Sequence, residues 1–330
     1  MKKNSFVKFV LYLSLLLFVS ACSSDAEGNG EGSSKGNDRL TFVTGTTTGV
    51  YYPLGALLST HWTNETETGV SSQGSNGSVE NLNLMKQGEA DLAFSTVNII
   101  WEAYNGENSF KAGAYEDIRI LANLYPNVSH IIASEDSGIT KIEDIKGKSF
   151  VPGAAGSATE IESKLILSSH GVNIEDVNEN YVGFTEAVDL MRNKQVDAVN
   201  IYTGVPASAA TELISTVDST VISFSEEGIA NMTTDKFPWN FPYTIEKGTY
   251  EGQKEAIQTI GQYSSIAIDA NVDEDTVYEM TKSLWENLDK LAEGHAVAKQ
   301  FDPTNAVLGT ADVPLHPGAE RYYKEIGVLK

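Results

Sequence analysis

The chain has 330 residues, with 45 acidic and 23 basic side chains and a formal net charge of −22 at pH 7. So acidic a composition argues against binding to nucleic acid, or to anionic lipid through basic patches. The length suffices for two lobes with separate cores, and a single cysteine excludes a disulfide within the chain.

The first 38 residues predict a signal peptide, a lipid anchor and a tether. Residues 1–21 combine three lysines with the apolar run Phe9–Val19, which is typical of a secretory signal peptide. Val19-Ser20-Ala21-Cys22 resembles a bacterial lipobox, so Cys22 is the predicted lipidation site and mature N-terminus. Residues 22–38 are rich in Ser, Gly, Asn, Asp and Glu and predict a flexible linker. We therefore expect an extracytoplasmic protein, lipid-anchored to the outer face of the cytoplasmic membrane.

The folded part opens with a predicted strand, Leu40–Val43, a Gly/Thr-rich turn and a helix. The first N–H groups of a helix lack internal partners, and the helix dipole adds partial positive charge there, so such a turn can bind a carboxylate. An ordinary connection capped by Thr is the alternative. The candidate ligand-binding residues in this segment are Gly45, Thr46, Thr47, Gly49 and Tyr51.

A second Gly/Ser turn, residues 74–78, separates a predicted strand from a predicted helix and supplies Ser75 and Asn76 as candidates. The next predicted strand, Asp91–Thr96, ends in Ser95 and Thr96. Ligands of open α/β sheets bind beyond the carboxyl ends of the strands, so both residues are candidates for the same site.

A third turn follows the segment Ser149–Pro152 and leads into a predicted helix. Ser157 and Glu160 have the spacing of a capping box, so Ser157 caps this helix, faces a ligand, or does both. The candidates in this turn are Gly153, Gly156, Ser157 and Thr159.

A quasi-repeat relates two stretches of the chain. Leu84-Met85 precedes Asp91 by seven and six positions, and Leu190-Met191 precedes Asp197 by the same numbers. Each Asp opens a predicted strand and follows its own Gly-rich turn. Although a coincidence of two βα units is the alternative, the pattern predicts two similar lobes and a cleft between them, where Tyr202 and Thr203 join the candidates.

Alternating strand-like and helix-like segments predict an α/β architecture. Ile118–Tyr125 and Ser129–Ser134 are separate strand candidates, and the second is expected to run beside Gly261–Ala267 between the lobes. The resulting domains are lobe I, residues 39–132 and 263–330, and lobe II, residues 133–262. We expect the two lobes to close on the ligand by a hinge.

From about Leu40 to Gly327 the chain resembles the TAXI-type solute-binding proteins of TRAP (tripartite ATP-independent periplasmic) transporters. The matching segments are Thr46–Gly55, Gly77–Leu82, Gly88–Ala93, Pro152–Glu160, Leu284–Leu288 and Pro314–Tyr323.

The resemblance implies a two-lobed, periplasmic-binding-protein-like fold of type II with the ligand cleft between the lobes. It implies a partner, a TRAP-type membrane permease, and a small carboxylate ligand such as glutamate, glutamine or 2-oxoglutarate. Two departures from the family pattern lie near the expected ligand and leave its identity open. Ala158 replaces the second Gly of Gly-Ser-Gly-Thr, and Phe94–Asn98 lacks the usual Gln.

Nothing in the sequence predicts catalysis, a metal site or a cofactor. The five His have no metal-ligand spacing, and no G-x-S-x-G motif is present. None of the four Arg lies in a Gly-rich turn, so we expect hydroxyls and backbone N–H groups, not an arginine, to hold the carboxylate. The alternative function is a binding protein that presents its ligand to a membrane signalling receptor, and the neighbouring genes would distinguish the two.

Overall fold

The computed structural model describes residues 39–330, so the predicted signal peptide, Cys22 and the linker lie outside the described residues. The strands are β1 (Leu40–Val43), β2 (Val70–Gln73), β3 (Leu92–Thr96), β4 (Ile118–Ser134), β5 (Ser149–Val151), β6 (Asn178–Glu179), β7 (Ala198–Thr203), β8 (Ser219–Val221), β9 (Phe241–Ile245) and β10 (Ile257–Asp269). The α-helices are α1 (Tyr51–Glu65), α2 (Ser78–Lys86), α3 (Val97–Asn105), α4 (Ala158–Ser169), α5 (Phe184–Arg192), α6 (Ser208–Thr216), α7 (Glu226–Met232), α8 (Glu274–Glu286), α9 (Leu288–Gly294) and α10 (Pro317–Glu325). Within residues 39–330, no helix has both the length and the apolar character that crossing a membrane requires.

All ten strands belong to one mixed sheet with the main order β2-β1-β3-β10-β4-β7-β5-β6, while β8 pairs with β4 and β9 with β10. At one end of the sheet, β1 pairs in parallel with both β2 and β3. At the other end, β5 pairs in parallel with both β6 and β7. We call the part built around β1, β2 and β3 lobe I and the part built around β5, β6 and β7 lobe II. The predicted two-lobed α/β fold is confirmed.

Two long antiparallel strands, β4 and β10, join the lobes. Ser264–Ile268 of β10 pairs with β3 of lobe I, and Val128–Ala133 of β4 pairs with β7 of lobe II. Two strands do run side by side here as predicted, but Gly261–Ala267 pairs with Ile120–Val128 of β4, whereas Ser129–Ser134 pairs with β7 and β8. The predicted break between two strands is wrong, because Pro126 stays within β4 opposite Tyr263 and the ladder continues on both sides of it.

Each lobe has its own apolar core, and β3 and β7 are buried along their whole length, as is typical of strands covered on both faces. In lobe I, the Phe42 ring lies 4.7 Å from that of Phe94 and 5.9 Å from that of Trp62. In lobe II, Ile201 of β7 and Leu213 of α6 are fully buried in a cluster of aliphatic side chains. Burying each of these side chains contributes roughly 1.5–3 kcal/mol, and this fixes the sheet beneath the helices.

The two aspartates of the quasi-repeat make the same contacts in the two lobes. Asp91 Oδ2 accepts from Thr41 N at 2.8 Å, and Asp91 N donates to Thr41 O at 3.0 Å. Asp197 Oδ2 accepts from Ser149 N at 2.8 Å, and Asp197 N donates to Ser149 O at 2.9 Å. Each carboxylate therefore joins the start of one parallel strand to the next, and the predicted equivalence of the two units is confirmed.

Candidate functional site

A cavity of about 50 Å³ lies between the lobes, enough for a few water molecules. Its walls come from the ends of α1 and α2 in lobe I and of α4 and α5 in lobe II. The lining residues are Gly45, Thr46, Gly49, Val50, Tyr51, Asn76, Gly77, Ser78, Asn127, Ala154, Ser157, Ala158, Thr159, Gly183, Phe184, Tyr202 and Thr203.

Four helices begin at this cavity, with Tyr51, Ser78, Ala158 and Phe184 as their first residues. The residues just before them line the cavity as well: Val50, Gly77, Ser157 and Gly183. Only the helix that follows Ser157 has a side-chain cap among these four. Because uncapped N-terminal N–H groups and helix dipoles both favour negative charge, the four ends together form an environment suited to an anion.

The first turn is held in shape by close packing and backbone hydrogen bonds. Gly49 N donates to Thr46 O at 3.0 Å, and Ser75 N donates to Gly45 O at 3.2 Å. A Cβ on Gly45 would lie 3.0 Å from Tyr51 Cβ, so this position has little room for a side chain. The turn thereby keeps its backbone next to the cavity, as the sequence predicted for a ligand-binding loop.

In the turn before α4, Ser157 caps the helix as predicted, but the capping box is incomplete because Glu160 bonds to Gly156 N and not to Ser157 N. Ser157 Oγ accepts from Glu160 N at 3.2 Å, and Glu160 Oε2 accepts from Gly156 N at 2.8 Å. Ser157 Oγ also donates to Ala154 O at 2.6 Å, while the residue lines the cavity. Ser157 therefore occupies both predicted positions, because it caps α4 and also lies at the cavity wall.

Tyr51 and Asn127 connect the cavity to the long strand β4. The Tyr51 ring stacks on that of Phe94 at 4.6 Å, and Asn127 Nδ2 donates to Tyr51 Oη at 2.9 Å. Burial raises the pKa of Tyr51 to about 12, so its phenol stays neutral at physiological pH. Tyr51 therefore supplies a fixed neutral hydroxyl.

Three polar atoms at the cavity have no hydrogen-bond partner among residues 39–330: Ser78 Oγ, Asn127 Oδ1 and Tyr202 Oη. All three side chains are more than nine-tenths buried. Burial also raises the pKa of Tyr202, which keeps this phenol protonated and able to donate. A buried polar group without a partner costs about 1–3 kcal/mol, and a ligand that bonds to it removes that cost.

No charged side chain lines the cavity, as far as residues 39–330 show. The four Arg make other contacts: Arg39 with Val70 O, Arg119 with the carbonyls of Glu116 and Ile118, Arg192 with Asp189 and Glu212, and Arg321 with Glu274 and Asp275. The donors at this site are accordingly neutral hydroxyls, amides and helix N-termini.

The structure brings nine of the predicted site residues to the cavity wall: Gly45, Thr46, Gly49, Tyr51, Asn76, Ser157, Thr159, Tyr202 and Thr203. The other six lie off it: Thr47, Ser75, Ser95, Thr96, Gly153 and Gly156. Thr47 lines a separate surface depression with Pro53 and Glu212. The side chains of Ser75, Ser95 and Thr96 bond to Asn81, to a backbone carbonyl and to Asn98 respectively.

Gly153 and Gly156 shape the third turn, which precedes α4, without lining the cavity. Both have positive φ, +117° and +75°, and a Cβ on Gly153 would lie 2.6 Å from that of Thr159. Glycine is therefore required at Gly153 for backbone conformation and for space.

Several lining residues were not predicted, among them Ser78, Asn127 and Phe184. Ser78 lies in the predicted second Gly/Ser turn, and its position at the start of a helix was the signal that could have identified it. Gly183 before an amphipathic segment could have indicated Phe184. Asn127 lies inside a strand, and only the pairing of β4 with β10 brings it to the cavity.

The lobes touch each other on either side of the cavity. The hydroxyls of Thr48 and Thr185 lie 3.0 Å apart, and Val79 N donates to Gly156 O at 3.2 Å. These contacts join the first Gly-rich turn to α5, and α2 to the turn that precedes α4.

Solved structures with the same architecture include periplasmic proteins. The alkanesulfonate-binding protein SsuA from Xanthomonas axonopodis pv. citri, bound to MOPS, matches with a TM-score of 0.50 and 15% identity over 87% of this chain and 83% of its own. A periplasmic transporter structure matches with a TM-score of 0.56 and 10% identity over 89% and 94% of the two chains. A protein from Bordetella bronchiseptica RB50 matches with a TM-score of 0.53 and 17% identity over 88% of this chain and 89% of its own. Such low identities show a shared fold.

The sequence itself gives a more specific assignment. The model of the NMT1-like family matches residues 42–327, which is nearly the whole of the described part of the chain. This match includes both Gly-rich turns, the four helix N-termini and the two strands that join the lobes. The protein therefore belongs to the NMT1-like family.

Proposed function

We propose that this protein is an extracytoplasmic solute-binding protein that captures a small carboxylate between its lobes and delivers it to a TRAP-type secondary transporter. The observation that supports this most directly is the convergence of four helix N-termini on one cavity that no charged side chain of residues 39–330 lines. Unpartnered hydroxyl and amide groups at Ser78, Asn127 and Tyr202 supply further bonds to a ligand.

An anion suits this cavity better than a cation or an apolar ligand. Helix N-termini stabilise negative charge, and each charge-assisted hydrogen bond contributes roughly 1.5–3 kcal/mol. The donors are fixed before the ligand arrives, since the first turn is held by backbone bonds and Tyr51 by Asn127. Neutral donors also avoid the cost of burying a cationic side chain.

The choice of carboxylate over sulfonate rests on the resemblance to TAXI-type proteins, whose ligands include glutamate, glutamine and 2-oxoglutarate. The SsuA structure, by contrast, holds a sulfonate buffer molecule. Both anions could use the same helix N-termini, but they differ in shape, since a carboxylate is planar with two oxygens and a sulfonate is pyramidal with three. A matched pair of ligands can therefore separate the two.

The test compares glutamate and 2-oxoglutarate with their sulfonate analogues by calorimetry and thermal melting. A ligand that binds only the folded state raises the melting temperature. We expect the carboxylates to bind more tightly. A preference for the sulfonates, or the absence of binding by any small anion, would contradict the proposal.

Two neighbouring threonines provide a matched pair of variants. Thr46→Ala removes a hydroxyl from the cavity wall, whereas Thr47→Ala removes one from the separate depression. We expect Thr46→Ala and Tyr202→Phe to weaken carboxylate binding roughly ten- to a hundred-fold and Thr47→Ala to leave it unchanged. Equal effects of the two threonine variants would place the ligand elsewhere.

The remaining elements of the proposal concern location and motion. We propose that Cys22 carries the lipid anchor, that lobe I comprises residues 39–132 and 263–330, that lobe II comprises residues 133–262, and that the lobes open and close about β4 and β10. Cys22→Ser should release the processed protein from the cell membrane. Small-angle scattering should show a smaller radius of gyration with saturating ligand.

A further inference from the structure

A second, larger cavity of about 650 Å³ lies between the lobes and shares no lining residue with the first. Its walls include Trp101 of α3 in lobe I and Trp239 of the segment before β9 in lobe II, with ring centroids 5.6 Å apart. Glu102 of α3 and Glu162 of α4 also line it. Each lobe thus contributes one tryptophan and one buried carboxyl group.

Both carboxyl groups have an oxygen without a partner. Glu162 is 1% exposed, and its Oε2 accepts from Gln262 Nε2 at 3.2 Å while Oε1 has no hydrogen-bond partner among residues 39–330. Glu102 is 5% exposed, and its Oε1 accepts from Asn108 Nδ2 at 2.9 Å while Oε2 has none within the same residues. Buried carboxyl groups normally have their lone pairs satisfied, so the two free oxygens point to a missing donor.

We propose that this cavity binds a primary alkylammonium ion, whose N–H groups bond to the carboxyl groups of Glu102 and Glu162 at the cavity wall and whose alkyl chain packs against Trp101 and Trp239. This second site has its own lining residues, distinct from those of the carboxylate site proposed above. An occupant here would contact both lobes at once and would therefore stabilise their contact.

Several observations favour an organic ammonium over other cations. Within residues 39–330, no three His, Cys, Asp or Glu side chains are grouped as a metal site requires. Tryptophan rings attract organic cations through their faces and pack against alkyl chains. Glu107, Asp235 and Asp312 also line the cavity and add negative charge at its exposed rim. A primary amine combines the charge, the N–H donors and the apolar chain that these walls match.

One lysine of the protein lies in the same cavity. Lys236 Nζ is 5.4 Å from the centroid of the Phe237 ring and takes part in no ion pair with the residues from 39 to 330. Its ammonium group could compete with an added amine for the same carboxyl oxygens. Removing it by Lys236→Met is therefore expected to strengthen binding of the free ion.

The protonation of the two carboxyl groups sets the pH dependence. Burial raises the pKa of Glu162 to about 8 and also raises the pKa of Glu102. Glu162 gains charge as the pH rises through about 8, so binding of an ammonium ion should strengthen from pH 6 to pH 9, while the amine remains protonated. The other titratable groups around them are Tyr202, Glu107, Asp235, Lys236 and Asp312.

The experiment uses the full-length protein and n-butylammonium chloride as the probe, with no carboxylate ligand present. Sodium chloride at equal ionic strength, 1-butanol and tetramethylammonium chloride serve as controls for salt, for the uncharged chain and for a cation without N–H donors. We expect only n-butylammonium to raise the melting temperature clearly. Glu162→Gln and Glu102→Gln should each weaken its binding roughly ten- to a hundred-fold, and Asp312→Asn, at the exposed rim, much less.

Equal stabilisation by 1-butanol, or unchanged affinity in both glutamine variants, would overturn the proposal. Absence of binding in both the wild type and Lys236→Met would overturn it too, because the internal competitor is then removed. Because the variants are nearly isosteric, their melting temperatures without ligand check that the fold is intact. Carboxylate binding is measured separately, so failure at this site leaves the first proposal standing.

Discussion

The Gly-rich turns of the two lobes occupy equivalent places yet satisfy their backbone groups differently. The turn at Gly45–Gly49 leads into α1 with no side-chain cap, so the first N–H groups of that helix stay available. The turn at Gly153–Ser157 is closed on itself by Ser157 and Glu160. The same strand–turn–helix topology therefore supplies free N–H donors on one wall of the cleft and a rigid, internally bonded turn on the other.

The largest expected difference between the turns comes from their first glycines. Gly153→Ala should lower the free energy of unfolding by about 3 kcal/mol, because φ is +117° and the new Cβ would lie 2.6 Å from that of Thr159. Gly45→Ala should cost only about 1 kcal/mol, since its Cβ meets a single side chain at 3.0 Å and no positive φ is involved. Urea unfolding curves of both variants measure this.

Equal losses of unfolding free energy in Gly153→Ala and Gly45→Ala would show that the two turns tolerate an added Cβ equally. That result would contradict the expected difference between the turns. The same substitution at a site without a clash is the control: Gly88 has no atom within 4 Å of an added Cβ, although its φ is +75°. Gly88→Ala separates the cost of φ alone from the cost of the clash.

The two equivalent aspartates should differ by a smaller amount. Asp197→Ala should cost about 3 kcal/mol, because its carboxylate accepts from both Ser149 N and Ser149 Oγ. Asp91→Ala should cost about 2 kcal/mol, because Thr41 N is its one donor among the described hydrogen bonds. Ser149→Ala should cost less in the Asp197→Ala background than in the wild type, because only the bond from the N–H of residue 197 to Ser149 Oγ is then left to lose. An additive loss would contradict this account.

The smallest expected difference concerns the capping residues. Ser157→Ala should lower the free energy of unfolding by about 1 kcal/mol, since it removes the cap of α4. Thr46→Ala should change it by less than about 0.5 kcal/mol, because only the backbone of Thr46 takes part in the turn. Thermal melting without ligand measures the stability of both variants. A Thr46→Ala variant as unstable as Ser157→Ala would contradict the expected difference between the two turns.

The parts of the fold that depend on local pattern could be predicted from the sequence. The strand–turn–helix units at Gly45 and Gly153 and the paired positions of Asp91 and Asp197 all follow from spacing along the chain. The cap that Ser157 Oγ provides for Glu160 N could be identified because both residues lie within one turn of helix. Each of these features is decided by neighbours in sequence.

The rest of the site depends on residues brought together from afar. Asn127 and Gln262 come from the middle of β4 and β10, where nothing local distinguishes a strand residue facing a cavity from one facing the core. Glu162 lies on α4 beside Glu160 and Lys164, which pair with each other, and nothing local to the helix distinguishes the buried carboxyl group that accepts from Gln262 of β10. Ser75 and Ser78 are both serines of one turn, and the start of α2 decides which lines the cavity.

The position of β10 between β3 and β4 has a consequence for how the chain folds. Thr96 pairs with Ser264, and the whole of lobe II lies between them in sequence. Lobe II can therefore assemble from one continuous stretch, while the sheet of lobe I stays incomplete until the later segment is available. Contacts of such long sequence separation slow folding. During synthesis from the N-terminus we therefore expect lobe II to be completed before lobe I.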